Sequence, residues 1–412
     1  MFASPHRETI VKAHSATDAN GTNEAASLVR GSNQSGMRAH NERLVLSLLR
    51  RRGPLAKADI ARVTGLSPQT VSVIMRALEA DGLLVKGDPV RGKVGQPSVP
   101  MRLAEDGAYF FGLKVGRRSV ELVLVDFLGQ VLHRAMELHS YPTPEGTFAF
   151  ADKQIAELTA RLPAPARARI AGLGIAMPFF LWNWADALGV PKEKMAGWRK
   201  ADIRSSLAER HDFPIYLEND ASSACGAEVV FGPSTGPRNF LYFYVGYFIG
   251  GGIVLNGARF SGAGNAGAVG PMPVPTPNGV RQLLDVASLF GLEGQLRASG
   301  WDTDSMWRSA EGWDIEGDIL DRWLDGAAAG IAHAIVSAAS IIDFGNVLVD
   351  GWIPRDLCER LVQTIDEKLA EQDLTGLTRP AILTGSVGAD ARALGAAALP
   401  LSQRFLLERA GA

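Results

Sequence analysis

A glycine- and proline-rich run limits the possible folds of this chain more than any other feature of its sequence. The run reads SGAGNAGAVGPMPVPTPNG, from Ser261 to Gly279, and its first ten residues include four glycines. Glycine and proline both destabilise helix interiors, and proline cannot donate a hydrogen bond within a sheet. We therefore expect a loop whose backbone passes close to another part of the molecule. The run has no charged side chain, so its composition alone does not indicate the function of this loop.

The 412 residues carry their charge unevenly. From Arg38 to Arg102 the chain has 12 Lys/Arg and 5 Asp/Glu residues, a net charge of +7, whereas the remainder has a net charge of −9. A small basic block joined to a larger acidic body is typical of a nucleic-acid-binding domain attached to a sensor or an enzyme. The length suggests two or three domains.

Composition argues against several other classes of protein. No apolar stretch approaches the roughly 18 residues that a membrane span needs, and the amino terminus lacks the hydrophobic core of a signal peptide. The two cysteines, Cys225 and Cys358, are isolated, which fits a reducing cytoplasm. The seven histidines are scattered, so their spacing supports no metal site, and we expect neither a metal nor a cofactor.

The basic block has the spacing of a helix-turn-helix. Helices are predicted over 41–51 and 57–64, Gly65 makes the turn, and Ser67 and Pro68 begin a third helix as its N-cap and first residue. Apolar and polar residues then segregate to opposite faces of this third helix. Two strands around a basic loop follow, which is the order of elements in a winged helix-turn-helix.

DNA binding follows from this pattern together with the charge. The predicted DNA-contacting residues are Lys57, Ser67, Gln69, Thr70, Ser72, Arg76, Lys93 and Gln96. The alternative is a three-helix bundle with a solvated basic face. Residues 1–36, rich in Ser, Ala, Asn and Gly, are predicted to be a disordered tail.

From Tyr109 onward, strands and helices alternate in two successive series. The first series ends in a strand that leads into Asn219 and Asp220. The second contains an Asn256-Gly257 hairpin, mostly helical residues over 280–342, and two strands predicted to be buried, at 346–351 and 381–385. Two such series predict two α/β lobes with a cleft between them.

Five motifs in this order resemble those of the ROK family, named for repressors, open reading frames and sugar kinases. The motifs lie at residues 41–85, 218–228, 245–257, 262–274 and 385–399. The resemblance spans about residues 40–400 and implies an α/β protein: an N-terminal winged helix-turn-helix followed by a two-lobed actin-like (RNase-H-like) ATPase fold. The implied boundaries are 37–104 for the winged helix-turn-helix, 105–225 plus 386–412 for the first lobe, and 226–385 for the second.

Departures from the family's kinases argue against catalysis. Where those kinases carry a sugar-binding glutamate, a zinc-binding histidine and a further glutamate, this chain has Ala268, Pro271 and Leu284. No cysteine occurs in 259–290, so the zinc site of the family is expected to be absent. Lys114 stands at the aspartate position of the first phosphate loop, followed by Arg117 and Arg118, and a lysine cannot help to hold a nucleotide-bound metal.

The resemblance also places a ligand site in the cleft. Its predicted residues are Asn219, Asp220, Phe179 and Gly270. For Asp220 three roles remain open: a catalytic base, a ligand-binding carboxylate, or the N-cap of the following helix. The aromatic residues of 179–184 could stack on a ligand, or pack in the core or at a dimer interface. Trp301, Trp307 and Trp313 are predicted to be packing residues.

We therefore expect a cytoplasmic, dimeric or higher-order DNA-binding regulator, more specifically a repressor. Its partners would be a double-stranded DNA operator and a sugar or sugar-derived effector, with no membrane. One alternative is a body that binds a partner protein without a small molecule. A less favoured alternative is a sugar kinase with an added DNA-binding domain.

Overall fold

Three helices and a pair of short antiparallel strands form the amino-terminal domain. The computed structural model describes residues 34–89, 99–185, 189–315 and 317–407. The domain contains α1 (Gln34–Arg52), α2 (Lys57–Thr64), α3 (Pro68–Ala80), β1 (Leu84–Lys86) and β2 (Met101–Leu103). The predicted order of helices and wing strands is confirmed, although α1 begins earlier than expected and includes residues 34–36 of the predicted tail. Residues 1–33 lie outside the described residues.

Local signals fix the ends of α3. The Ser67 hydroxyl accepts a hydrogen bond from the backbone N–H of Thr70 at 3.1 Å, and Pro68 occupies the first helical position. Val71, Ile74, Met75 and Leu78 form the buried face of the helix. After α3 the chain turns at Gly82, whose φ of 72° lies in the left-handed region that favours glycine.

The first large sheet follows directly. Among the described residues its strand order is β5-β4-β3-β6-β7, with β3 (Tyr109–Val115), β4 (Ser119–Val125), β5 (Val131–Leu138), β6 (Ile170–Ala176) and β7 (Ile215–Glu218). Every residue of β3 and β4 is buried, because helices cover this apolar part of the sheet. The helices of this region are α4 (Pro144–Arg161), α5 (Ala164–Arg167), α6 (Lys192–Ala196) and α7 (Ile203–Ala208).

The second large sheet repeats this plan. Its strand order among the described residues is β10-β9-β8-β13-β14. The strands are β8 (Phe240–Val245), β9 (Gly250–Leu255), β10 (Ala258–Phe260), β13 (Asn346–Gly351) and β14 (Ala381–Thr384). The predicted hairpin is confirmed, because Leu255 pairs with Ala258 and both turn residues, Asn256 and Gly257, have positive φ. Around this sheet lie α8 (Asp220–Phe231), α9 (Leu283–Ala287), α10 (Leu289–Ala298), α11 (Asp304–Arg308), α12 (Asp318–Ala339) and α13 (Arg355–Ala370). The last helix, α14 (Ala391–Phe405), packs on α8 and on the strands of the first sheet.

Two predictions about this region are wrong. The strand at 381–384 was expected to be buried, but it is the edge strand of the sheet and only half-buried. The proline-rich end of the run at 261–279 was expected to be a loop, but it forms β11 (Pro273–Thr276), which pairs with β12 (Gly279–Gln282). Proline is compatible with β11 because this hairpin has free edges, where a missing N–H costs little.

The amino-terminal domain and the first sheet share one hydrophobic core. Leu46 and Leu49 of α1 belong to the same cluster of buried side chains as Phe110 and Phe127 of the body. Phe405 at the end of α14 packs against both of these rings, with centroid distances of 5.8 and 5.1 Å. Each such buried side chain stabilises the arrangement by roughly 1.5–3 kcal/mol. In the described part of the chain, no helix has the length and apolar character needed to cross a membrane.

Candidate nucleic-acid interface and ligand cleft

The outer face of α3 presents polar and apolar side chains to solvent. Gln69 and Arg76 are exposed, and Ser72 is half-buried between them. Val73 lies on the same face with 47% of its surface exposed. The Arg76 guanidinium donates to the carbonyl oxygen of Ser72 at 3.2 Å, which holds it along the helix. Side chains of this kind and spacing can reach base edges in a major groove.

Ser67 and Thr70 have local hydrogen-bonding roles. Their hydroxyl oxygens lie 2.8 Å apart, and Ser67 also caps α3. These two residues therefore fix the start of α3, whereas the predicted role was DNA contact, which stays a prediction. Lys57 is exposed at the start of α2, and its contact with DNA stays a prediction. The predicted wing residues Lys93 and Gln96 lie outside the described residues.

The glycines of the run at 261–279 allow close backbone packing. A Cβ atom on Gly267 would lie 2.5 Å from the Cα of Gly252, and one on Gly252 would lie 2.6 Å from the Cβ of Cys225 in α8. Gly270 is equally restricted, because a Cβ there would lie 2.9 Å from the carbonyl oxygen of Ile249. The glycines thus allow the backbone of the loop to touch that of β9, and β9 to lie directly against Cys225 of α8, which is a structural reason for them that needs no ligand.

The predicted ligand residues Asn219 and Asp220 lie between β7 and α8. Asn219 is the N-cap, since its side chain accepts from the N–H groups of Ala221 and Ser222 at 3.0 and 3.2 Å. Asp220 is the first helical residue and forms an ion pair with Arg392 of α14 at 3.5 Å. The suggestion that Asp220 itself is the N-cap is therefore wrong.

Topology brings Phe179 to the same edge of the first sheet. β6 and β7 are parallel neighbours, with Ala176 opposite Glu218, so the segments after them leave the sheet together. Phe179 is half-buried there. The adjacent Phe180 is 56% exposed, has a φ of 57°, and packs edge-on against Trp182 with 5.5 Å between the ring centroids. Gly270 lies instead beside the second sheet, where a Cβ atom on it would meet Ile249 and Leu284.

Buried cations surround the turn between β3 and β4, which the resemblance predicts to correspond to the phosphate loop of the kinases. Lys114 donates to the Ser119 hydroxyl at 2.8 Å, forms an ion pair with Glu121 at 3.5 Å, and lies 5.0 Å from the centre of the Trp352 ring. The Arg117 guanidinium stacks on Phe248 at 4.3 Å. Burial, together with the charge of Arg392, lowers the pKa of Lys114 to about 8. This arrangement leaves a cavity of only about 10 Å³ at the loop.

Sequence reasoning did not identify Arg392. It is a buried arginine in the first turn of α14, in the stretch ARALGAAALPL, where every other residue is apolar. Its guanidinium lies 4.9 Å from the centre of the Tyr244 ring and pairs with Asp220. A single cation inside an otherwise apolar stretch of the helix is the signal that could have pointed to it, because arginine is rarely buried without a partner.

Two carboxylates hold the turn before α14. Asp350 accepts from the N–H of Gly388 at 3.0 Å and from the Tyr242 hydroxyl at 3.2 Å. Glu228 accepts from the N–H and the hydroxyl of Ser386 at 3.0 and 2.7 Å. Burial raises the pKa of Asp350 to about 6. The turn that precedes α14 is thereby tied to β13 and α8 of the second half of the body.

Comparison with known proteins identifies both parts of the chain. Residues 38–85 match a winged helix-turn-helix DNA-binding family, and residues 110–282 match the ROK family. The chain is 27% identical to the uncharacterized protein y4fQ of Sinorhizobium fredii over 89% of this chain and 91% of y4fQ. It is 25% identical to the xylose repressor of Bacillus spizizenii over 58% of this chain and 62% of the repressor.

A solved structure shares the fold across both parts. The ROK family transcriptional regulator described as a homolog of the E. coli MLC protein superimposes with a TM-score of 0.63 at 20% identity, over 90% of this chain and 97% of that one. This likeness covers the amino-terminal domain as well as the body. The chain therefore contains a ROK family domain, matched over residues 110–282, behind a winged helix-turn-helix DNA-binding domain, matched over residues 38–85.

Proposed function

We propose that this protein is a sequence-specific transcriptional repressor whose ROK domain binds a small polar effector, a carbohydrate or a carbohydrate derivative. The observation that carries the proposal is the outer face of α3, where Gln69, Val73 and Arg76 project from a helix whose opposite face is buried. Among the described residues this face is left exposed, and its residue types suit base edges. As a DNA-binding regulator, the protein would act in the cytoplasm.

Operator binding would combine two kinds of contact. Lysine and arginine side chains of the basic amino-terminal block would supply most of the affinity through phosphates, while α3 would read the bases. A homodimer would present two copies of α3 to a pseudo-palindromic operator. Repression rather than activation is favoured by the similarity to a protein named xylose repressor.

The effector would bind at the carboxyl edge of the first sheet. Ligands of open α/β sheets usually occupy this edge. Asp220 offers a carboxylate that can accept hydrogen bonds from hydroxyl groups, and its present partner Arg392 is 3.5 Å away. A hydroxylated effector would compete with Arg392 for Asp220 and would shift α14, which packs on the strands of the first sheet. The exposed ring of Phe180 offers an apolar surface for the other face of such a ligand.

We also propose that the protein does not transfer phosphate. By the family resemblance, Lys114 and Arg117 correspond to the position where the kinases bind nucleotide phosphates, and the proposal is supported by the cavity there, whose volume of about 10 Å³ is too small for a phosphate group. Lys114 cannot replace a carboxylate as a metal ligand. Incubation with ATP and a panel of sugars tests this, and phosphate transfer that is abolished in Asp220→Ala would contradict it.

Selection of bound fragments from genomic DNA tests the proposed function. Wild-type protein is expected to enrich fragments that share a pseudo-palindromic motif, and Arg76→Ala is expected to lose the motif. Sugars and sugar derivatives are then screened by thermal shift, because a ligand that binds only the native state raises its stability. An effector found in this way should release wild-type protein from the operator and leave Asp220→Ala bound. Failure to enrich any motif would refute the DNA-binding proposal, and a response of Asp220→Ala equal to wild type would place the effector elsewhere.

A further inference from the structure

We propose that the groove lined by α1, α8, α14 and β7, the α1 groove, binds an organic acid with an apolar body, such as a fatty acid or an aromatic acid. The groove has a volume of about 970 Å³, within the range of small-molecule sites, which are common at domain interfaces. Asn219, Asp220, Phe179 and Gly270 do not line it. The site is therefore additional to the effector site of the proposed function.

Three helices each turn one face toward the α1 groove. Residues four apart in sequence lie on the same face of a helix. Such pairs line the groove from every helix around it: Leu44 and Leu48 of α1, Ser222 and Gly226 of α8, and Ala398 and Ser402 of α14. These faces surround a space that is large enough for a ligand and that no described residue fills.

Gly226 keeps the floor of the α1 groove open. It lies inside α8, where glycine is a poor helix former. Gly395 of α14 has a packing reason, because a Cβ atom there would lie 1.9 Å from the carbonyl oxygen of Ser223. A Cβ atom on Gly226 would meet no described atom within 4 Å. Gly226 thus leaves room that any other side chain would occupy.

Exposed apolar side chains border the α1 groove. Val63 of α2, Leu217 of β7 and Val229 of α8 all line it, and each keeps more than a third of its surface exposed. Leu44 and Leu48 beside them are half-buried. Apolar surface that is exposed at one concave site is a feature of binding sites. It favours a ligand with an apolar body.

The charge of the lining is positive, although most of it is already balanced. Six arginines and two glutamates line the α1 groove, and Arg51 has a contact of its own. Three of the other arginines have an acid nearby: Arg259 has Glu218, Arg50 has Asp126, and Arg204 has Asp202.

Two arginines of the lining are left for a ligand. Arg52 at the end of α1 and Arg238 before β8 are both exposed, and neither forms an ion pair with a described carboxylate. Arg238 donates to the carbonyl oxygen of Asn256 at 2.9 Å. Arginine binds carboxylate and similar oxyanions through charge-assisted hydrogen bonds. An organic acid supplies both the anionic group for these arginines and the apolar body, whereas a sugar lacks the apolar body.

The position of the α1 groove has a consequence for DNA binding. One wall belongs to the DNA-binding domain and the others belong to the body, so a bound acid would contact both. Occupation of the groove is therefore expected to change the affinity for the operator. This consequence rests on the proposed function, whereas binding of the acid does not.

Fluorescence titration of the full chain with 8-anilinonaphthalene-1-sulfonate tests the site. We expect saturable binding that decanoate displaces, and weaker binding of N-phenyl-1-naphthylamine, the same aromatic body without the sulfonate. Gly226→Leu should weaken sulfonate-dye binding at least about tenfold, because leucine occupies the apolar floor. Gly326→Leu is the matched control and should bind like wild type, since Gly326 is an exposed glycine of α12 that also has open space around it.

Further variants separate the charge from the apolar surface. Arg52→Gln and Arg238→Gln should each weaken binding of the sulfonate dye by about twofold to fivefold and leave the uncharged dye unaffected. Val229→Glu is the second groove variant in case Gly226→Leu does not fold, and it should also weaken the sulfonate dye. Its control is Val280→Glu, which changes an exposed valine of β12 outside the groove.

Each outcome decides part of the proposal. Equal affinity for the sulfonate dye in wild type, Gly226→Leu and Val229→Glu would overturn the site. Equal affinity for the two dyes would refute an acid as the ligand. Displacement by decanoate supports a fatty acid, and its absence would refute a fatty acid in favour of an aromatic acid.

Two further measurements identify other occupants and other failures. If Gly226→Leu abolishes self-association in sedimentation velocity and Gly326→Leu does not, the groove holds a second copy of the chain and the ligand proposal is refuted. Operator binding is measured on the same samples. Intact operator binding without dye binding would refute only the acid site, whereas absence of operator binding in wild type would refute the proposed function.

Discussion

The outer face of α3 and the cavity around Lys114 both depend on cations, but they hold them in opposite ways. Arg76 is exposed, and its nearest contact is a carbonyl of its own helix. Lys114 and Arg392 are buried beside aromatic rings, where Lys114 pairs with Glu121 and Arg392 pairs with Asp220. An exposed cation stays hydrated and contributes little to the stability of the fold. A function for such a cation therefore requires a binding partner. A buried cation lowers the stability of the fold unless a partner compensates it.

Removal of each type of cation should therefore affect different properties. The largest effect is expected for Arg392→Met, which leaves Asp220 without its ion-pair partner at a site where both groups are largely buried. Breaking a buried pair from one side costs about 3–5 kcal/mol of the free energy of unfolding. Chemical denaturation measures it. Arg76→Met is the control and should change stability by less than about 0.5 kcal/mol. Equal losses in both variants would show that burial does not distinguish the two sites.

The second prediction uses pH to detect the buried charge of Lys114. Its pKa is lowered to about 8 in the folded protein, against 10.5 for an ordinary lysine. The cost of the buried charge is then fully present below pH 8 and disappears as the pH rises toward 10.5, because the folded protein releases the proton first. The stability of wild type relative to Lys114→Met should increase by about 1.4 kcal/mol per pH unit above pH 8. A relative stability that stays constant between pH 7 and 9.5 would show that Lys114 has an ordinary pKa.

A smaller effect, on DNA affinity rather than stability, is expected at α3. Arg76→Ala should weaken operator binding by about 1–3 kcal/mol if the guanidinium reads a base, with relaxed discrimination at one position of the operator. If Arg76 contacts only phosphate, binding should weaken equally on all DNA sequences. The number of counterions released on binding, measured from the salt dependence of the affinity, should then fall by about one. Fluorescence anisotropy at several salt concentrations separates the two. Affinity unchanged on every sequence would remove Arg76 from the interface.

The smallest effect concerns Val73, the exposed apolar residue of the same face. An apolar side chain in the major groove can contact the methyl group of thymine. Replacing one operator thymine at a time by uracil should weaken wild-type binding at one position by about 0.8 kcal/mol, the value of one buried methyl-sized group. In Val73→Ala the loss at that position should be absent. A loss of the same size in both proteins would assign the methyl contact to another residue.

Much of the fold is predictable because its signals are local. The start of α3 is encoded by Ser67 and Pro68, and the hairpin by Asn256 and Gly257, within a few residues of the features they define. The same holds for the outer face of α3, since helical periodicity alone separates Gln69 and Arg76 from the buried residues. Comparison with known proteins then confirms the family that the order of motifs indicated.

The remaining features depend on contacts between distant segments. Arg392 meets Asp220 across 172 residues of sequence, and no local pattern specifies that pair. Whether β14 is an edge strand depends on the order of strands in the whole sheet, which a local pattern does not give. The prolines of β11 argued against a strand, so the β11–β12 pair was not predicted. The ligand assignments for Asn219, Asp220, Phe179 and Gly270 stay predictions, although Asn219 already has its hydrogen bonds within α8.

The core that α1 shares with the body limits how freely this DNA-binding domain could be exchanged. A linker-joined domain can be grafted onto another protein as a cassette, because few side chains cross the boundary. Here Leu46 and Leu49 lie in one apolar cluster with Phe127 and Leu401, and Arg50 stacks on the Phe127 ring at 5.6 Å. A chimera that received only residues 40–104 would leave these rings facing water. A functional chimera would also have to receive the β4–β5 turn and the end of α14. The DNA-binding domain, and with it the specificity for an operator, is therefore expected to be inherited together with its own body.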